Sequence, residues 1–300
     1  MTIRIGGAPI SWGICEIPGW GPQLPVDRVL DELRDAGYAG TELGPWGFMP
    51  ADAATLGAAL SARNLSMAAA FVPLRLRDPA DYAAAEAQTR ETASLLRALG
   101  AGHIVLSDAG DEQRRKIAGR SALTASHGLS AKEWAGYAAR LEQISQICRF
   151  DYGLVPCFHP HGGTYIEHPD EINALLNRTD QHLVKFCLDT GHIAFGGGDP
   201  VALAKRHAGR IGHVHVKDID QQRLRGLLEA GDDYVAAAQA GVFVELGAGS
   251  LDLAGIFQAL EGAGFDGWLI VEQDRVVHEH TDTIASARRN RECVRRLVGL

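Results

Sequence analysis

The chain has 300 residues, 46% of them hydrophobic, enough for a large core, and α/β barrels commonly reach this size as one domain. A formal net charge of −8 at pH 7, with basic residues confined to short pieces such as 113–120 and 286–297, argues against nucleic acid as a partner. Five cysteines without CxxC spacing, no apolar run of 18 residues and no signal-like N-terminus exclude a disulfide framework, a structural zinc site and a membrane span, and point to the cytoplasm.

The first apolar run is IRIGGAP (3–9). The overlapping GGAPISWG has no GxGxxG spacing, so it is not a phosphate loop. A helix follows, with Val26, Val29, Leu30 and Leu33 on one face. AGTELG (39–44) and SMAAAFV (66–72) are the next runs, then a long helical stretch that stops at Gly100, and GHIVLS (102–107). The second half repeats the alternation with GLVPCFH (153–159), VKFCLD (184–189), GHVHVKD (212–218) and GWLIVEQD (267–274). Near-continuous apolar runs of this length suit parallel strands covered by helices. Eight of them, each followed by helical sequence, predict a single α/β domain over 1–300, a (β/α)8 TIM barrel. A doubly wound sheet is the alternative. Segments 108–129 and 218–249 are long connections leaving strand C-termini, where a barrel builds its active site, and are candidate lids.

Alternate residues of a barrel strand point inward. That phase turns Val155, Cys157 and His159 inward, then Cys187 and Asp189, then His213, His215 and Lys217, then Trp268, Ile270 and Glu272, with Glu42 at the end of the second strand. His213, one layer deeper, reads as a hydrogen-bonded core histidine. Glu42, His159, Asp189, His215 and Glu272 form a ring at one level. Carboxylates gathered there would repel one another unless a cation or proton compensated. N and O ligands of this kind suit one divalent ion of manganese, cobalt, zinc or magnesium.

GTELGPWGFMP, HPHGGTYIE, LVKFCLDTGHIAFGGGDP, RIGHVHVKD and GWLIVEQD together resemble the inosose dehydratases of myo-inositol catabolism, within the xylose isomerase-like TIM barrels that include sugar isomerases and epimerases. The resemblance implies a metal-dependent lyase that dehydrates a keto-polyol such as 2-keto-myo-inositol through an enediolate, or an isomerase or epimerase on the same site. It implies metal ligation by Asp189, His215, Glu272 and a strand-five group. Relatives read ENHGG where this chain reads HPHGG, so His159 stands in the place of a Glu, and Glu167 beyond the turn is a second candidate ligand. Glu272, Glu167 and His161 are the candidate acid and base groups, and Glu42, His192, Lys217 and Trp12 the candidate substrate contacts. The chain also lacks the Pro-Gly-Asp-Gly of the dehydratases near 244–253, reading VELGAGSLDL. The expected partner is a small polyol or sugar, with homo-oligomer formation left open and no role for membranes. A trinuclear DNA-repair endonuclease is disfavoured by the acidic charge and by too few ligands.

Overall fold

The computed structural model describes residues 3–300. Its strands are β1 (Arg4–Gly7), β2 (Gly40–Thr41), β3 in two pieces (Ser66–Met67 and Phe71–Leu74), β4 (His103–Asp108), β5 (Val155–His159), β6 (Lys185–Asp189), β7 (Ile211–Val216) and β8 (Trp268–Val271). All pair in parallel, and β1 lies between β2 and β8. The two pieces of β3 pair with β2 and β4 respectively. Between them Ala68–Ala70 stays bonded to both neighbours, with Ala68 N donating to Thr41 O, Leu43 N to Ala69 O and Val105 N to Ala70 O. The ring is thereby closed into the eight-stranded barrel expected from the sequence, with its third strand running on to Leu74.

The helices are α1 (Val26–Asp35), α2 (Ala53–Ser61), α3 (Tyr82–Ala98), α4 (Glu112–Ile117), α5 (Ser121–Ser126), α6 (Ala131–Gln146), α7 (Pro169–Arg178), α8 (Thr190–Phe195), α9 (Pro200–Arg206), α10 (Gln221–Ala230), α11 (Tyr234–Gln239), α12 (Leu253–Gly262) and α13 (Thr283–Leu297). Their starts follow from side-chain caps. Asp52, Ser130, Asp199 and Asp252 each accept a first-turn amide, which satisfies a donor the helix itself cannot pair.

The alternation of each strand divides the core. Leu106, Phe158, Phe186, Leu188 and Val214 point outward into one cluster with Leu30, Leu33, Leu96 and Leu141 of the helices. Ala8, Ala68, Trp268 and Ile270 fill one part of the interior, and Ala69, Val105, Cys157 and Cys187 another. Burying one such Leu or Phe is worth about 1.5–3 kcal/mol, and a change such as Phe158→Ala would cost roughly 3–5 kcal/mol through the cavity it leaves. Small residues are required where the barrel is tight: a Cβ on Gly40 would lie 2.4 Å from Ser66 O and 2.6 Å from the Trp268 ring.

Residues 108–129 fold as α4 and α5. Residues 218–249 form a short antiparallel ribbon (Asp218–Ile219 with Phe243–Val244) around α10 and α11. Both segments are fastened. Arg114, fully buried, bonds both Glu171 oxygens at 2.9 Å, and Arg120 bonds Leu228 O and Asp232 O, tying the two segments together. Among the described residues no helix is long and apolar enough to cross a membrane.

Candidate functional site

The strand ends deliver the inward residues to one place. His215 is central: Nε2 lies 3.0 Å from Glu42 Oε1, and Nδ1 lies 3.1 Å from Glu272 Oε2 and 3.5 Å from Asp189 Oδ2. His159 Nε2 sits 3.0 Å from Asp189 Oδ2. Lys217 Nζ reaches Glu272 Oε2 at 2.7 Å, Asp274 Oδ1 at 3.1 Å and Asp189 Oδ2 at 3.2 Å. One layer down, His213 Nε2 lies 2.8 Å from Glu42 Oε1. All of these side chains are buried.

Asp189 does two jobs. Its Oδ1 accepts the His192 amide at 2.7 Å and caps α8, while Oδ2 faces His159, His215 and Lys217. The glycine of the Asp-Thr-Gly-His turn is required by closeness, because a Cβ on Gly191 would come within 2.6 Å of Lys217 Cβ. Arg275 does not compete for Glu272; it bonds Ser11 O and Ser286 Oγ.

Electrostatics follow from this packing. Burial would raise the Asp189 carboxyl, but Lys217 and His192 outweigh it and hold it well below the ordinary range. Burial would likewise raise Glu272, and His215 and Lys217 pull it below the ordinary value. Burial would lower His215, but Cys187, Glu272 and Glu42 hold it well above the ordinary imidazole value. A field that keeps a proton on that ring is also one that would hold a cation there. Three buried carboxylates (Asp189, Glu272, Asp274) face a single lysine and a fourth, Glu42, faces His213 and His215, leaving negative charge to compensate.

The histidines beyond the ring are tuned the other way. Burial, then each other's proximity, keeps His161 well below the ordinary value, and burial, then Lys217, does the same to His192. Their tautomers are set by neighbours. His161 Nδ1 faces Gly162 O at 2.8 Å and must donate, which leaves Nε2 as a free lone pair. His192 Nδ1 accepts the Gly162 amide at 3.1 Å, so its proton sits on Nε2, 3.4 Å from Asp274 Oδ2. The two rings stack with centroids 3.9 Å apart.

These groups floor a cavity of about 540 Å³, lined there by Glu42, His159, His161, His215, Lys217 and Glu272. Two sets of ligand atoms lie within 4.8 Å of one another: His159 with Asp189 and His215, and Glu42 with His213 and His215. The first opens on the cavity through His159 and His215. In the second, His213 is fully buried away from the cavity, and the Glu42 oxygen already faces both imidazoles. His215 Nδ1 has no aligned hydrogen-bond partner although a carboxylate oxygen is 3.1 Å away, and His159 Nδ1 has none either. A buried nitrogen close to carboxylates but not aligned with any of them fits a shared central cation, and the N and O donors suit a divalent metal.

Two expectations from the sequence need correction. Glu167 does not reach the cluster: its oxygens accept the amides of Gly119 at 2.7 Å and Gly163 at 2.5 Å, joining segment 108–129 to the turn after β5. The turn does double back, but Gly163 at φ 78° directs its own amide onto Glu167, and α7 then starts at Pro169 with Glu171 capping it. Glu167 is therefore neither a ligand nor the cap of α7; burial raises its carboxyl to about 7. Trp12 does not line the cavity. It is buried on the helix side, where its indole N–H bonds Glu32 at 2.8 Å and its ring meets Tyr38.

Sequence reasoning missed Asp274 and Tyr234. Asp274 Oδ1 faces Lys217, and Oδ2 lies 3.3 Å from Tyr234 Oη. Asp274 carried a signal, since it stands two residues beyond Glu272 on the same inward phase. Tyr234 arrives from the segment after β7, and no periodicity marks it.

Similarity to known proteins adds to this geometry. The family described as xylose isomerase-like TIM barrel matches residues 30–297. The chain is 37% identical over 276 residues to the rhizopine catabolism protein MocC of Rhizobium meliloti, covering 92% of this chain and 82% of the relative. It is 32% identical over 275 residues to an inosose dehydratase of Lacticaseibacillus casei, covering 92% and 91%. A solved structure described as the IolI protein with a zinc atom bound superposes with a TM-score of 0.73 at 16% identity, over 99% of this chain and 98% of that one, a likeness of fold. The chain belongs to the xylose isomerase-like TIM barrel family.

Proposed function

We propose that this protein is a divalent-metal-dependent dehydratase of a keto-polyol such as 2-keto-myo-inositol. The observation that carries the reading is the cluster of His159, Asp189, His215 and Glu272 on the cavity floor, with Lys217 against it. Those four residues would hold the ion, of manganese, cobalt, zinc or magnesium. When bound, it supplies Lewis acidity that polarises a ketone and makes the neighbouring C–H more acidic. The relatives named inosose dehydratase support the substrate class.

The chain's own groups divide the proton work. His161, neutral and with its Nε2 lone pair free, is the base for the α-proton, a role that typically contributes ~10²–10⁴-fold. Glu272, held against His215 and Lys217, serves as a ligand. Burial would lower the Lys217 ammonium, but Asp189, Asp274 and Glu272 hold it well above the ordinary value. It therefore stays charged and stabilises negative charge developing on the substrate oxygen. The protonated His161 is the donor at hand for the hydroxyl that leaves as water, and Tyr234, whose O–H is given to Asp274, packs against its ring. Glu42 orients His215 through its second nitrogen and fixes the ring.

The test is incubation with 2-keto-myo-inositol and a divalent cation in deuterated water. Loss of water gives a conjugated product that absorbs in the ultraviolet. A deuterium-labelled isomer without that absorbance would replace the dehydratase reading with an isomerase or epimerase on the same site, and an unchanged substrate would overturn both.

A further inference from the structure

The His-Val-His of β7 puts two imidazoles on the inward phase, one layer apart. His215 belongs to the cavity floor. His213 lies beneath it, fully buried. Both close on one atom: His213 Nε2 is 2.8 Å and His215 Nε2 3.0 Å from Glu42 Oε1. Glu42 comes from the end of β2, and β1 and β8 stand between β2 and β7 in the sheet, so these bonds cross the barrel interior.

An imidazole nitrogen that faces a carboxylate carries the proton. His213 is therefore a donor through Nε2, and its buried Nδ1 has no hydrogen-bond partner. As packing this is a poor choice. Barrel layers are normally filled by branched apolar side chains, and a buried, unpaired nitrogen costs stability. What the ring supplies, and an aliphatic side chain could not, is a second donor to Glu42 from below. The consequence falls on His215. To ligate through Nδ1, the nitrogen that faces Glu272 and Asp189, His215 must keep its proton on Nε2, and Glu42 Oε1 is the acceptor that holds it there. Glu42 also lines the cavity. A carboxylate that lost its lower bond could turn toward the cation and release His215 Nε2.

We infer that His213 is a positioning residue for the metal centre: from one layer below, it pins the Glu42 carboxylate against His215 Nε2 and so sets the tautomer and orientation in which His215 ligates. The inference rests on the metal-dependent reading of the floor, and its test needs no substrate.

Zinc and manganese affinities of the stripped protein are measured by competition with a chromophoric chelator, and cobalt is added in parallel to read the ligand geometry from its visible absorption. His213→Leu fills the layer but cannot donate. It should bind zinc ~10-fold or more weakly, the range for losing a hydrogen-bond partner behind a ligand, and should alter the cobalt spectrum. His213→Gln can place an amide N–H where Nε2 stood and should restore both. His213→Asn, polar but too short to reach Glu42, should behave as the leucine variant does and replaces it should that one fail to fold. Ile270→Val trims the barrel interior beside His215 without touching Glu42 and should bind zinc as the wild type does, which separates positioning from loosened packing. Wild-type affinity in folded His213→Leu or His213→Asn, a His213→Gln as weak as His213→Leu, or an equal loss in Ile270→Val would overturn the inference while leaving the metal reading intact. A wild-type protein that takes up no metal would refute that reading and this inference with it.

Discussion

Removing the Lys217 ammonium is the perturbation whose consequences the structure specifies best. In Lys217→Met the flexible stem is replaced by a similar apolar volume, and Asp189, Glu272 and Asp274 lose the cation that now sits 2.7–3.2 Å from each. All three are buried. Breaking a buried ion pair from one side costs roughly 3–5 kcal/mol. At about 2 °C per kcal/mol, the lower coefficient that suits a long chain, Tm should fall by about 6–10 °C near pH 8. The loss should depend on pH with a defined sign. In the wild type the Asp189 and Glu272 carboxyls are held down against burial, so their contribution is present above the unfolded values and is lost only in strong acid. Without Lys217 the downward pull on both carboxyls weakens, although His215 and His192 still oppose burial. The variant therefore gains less stability than the wild type as pH rises through the carboxylate range, and the gap to wild type narrows toward about pH 4. Thermal unfolding by circular dichroism at matched pH values, with metal removed, measures this. An equal gap at all pH values, or none near pH 8, would refute the charge account of the site.

Asp274→Asn should leave metal content near that of the wild type and lower kcat by ~10²-fold, because Tyr234 and His192 lose the group that orients them; loss of the ion would instead make Asp274 a ligand. Glu167→Gln should keep full metal occupancy, since its oxygens hold only the Gly119 and Gly163 amides, and metal analysis showing depletion would restore it to the ligand set. Arg114→Met leaves the buried Glu171 without its guanidinium, costs roughly 3 kcal/mol and should speed limited proteolysis within 108–129; an unchanged cutting rate would mean that other contacts hold that segment.

The parts of this molecule legible in the sequence are those governed by period-two alternation. Phe158, Phe186 and Leu188 face the helices and Cys157, His159, Cys187 and Asp189 face inward, because only that phase buries the apolar set on both sides of the sheet. The break of β3 at 68–70 was not legible, because three alanines carry no apolar–polar phase. Trp12 shows why a residue type is a weak signal. It was expected among the substrate contacts, but its indole N–H is satisfied by Glu32 on the helix side of the sheet. Glu167 was misplaced because a side chain beyond a Gly-Gly turn can point to either side. The choice was made by two backbone amides, one of them 48 residues away in sequence, which no local pattern contains.

The most direct test of the central claim is to strip the protein of metal, titrate it with manganese or zinc, and follow bound metal and water loss from 2-keto-myo-inositol together. No turnover is expected in the stripped protein, with activity rising in step with occupancy up to a single ion per chain, and loss of both in Asp189→Asn and Glu272→Gln variants that remain folded by circular dichroism. Full water loss by the stripped wild-type protein, or full occupancy in both variants, would contradict it.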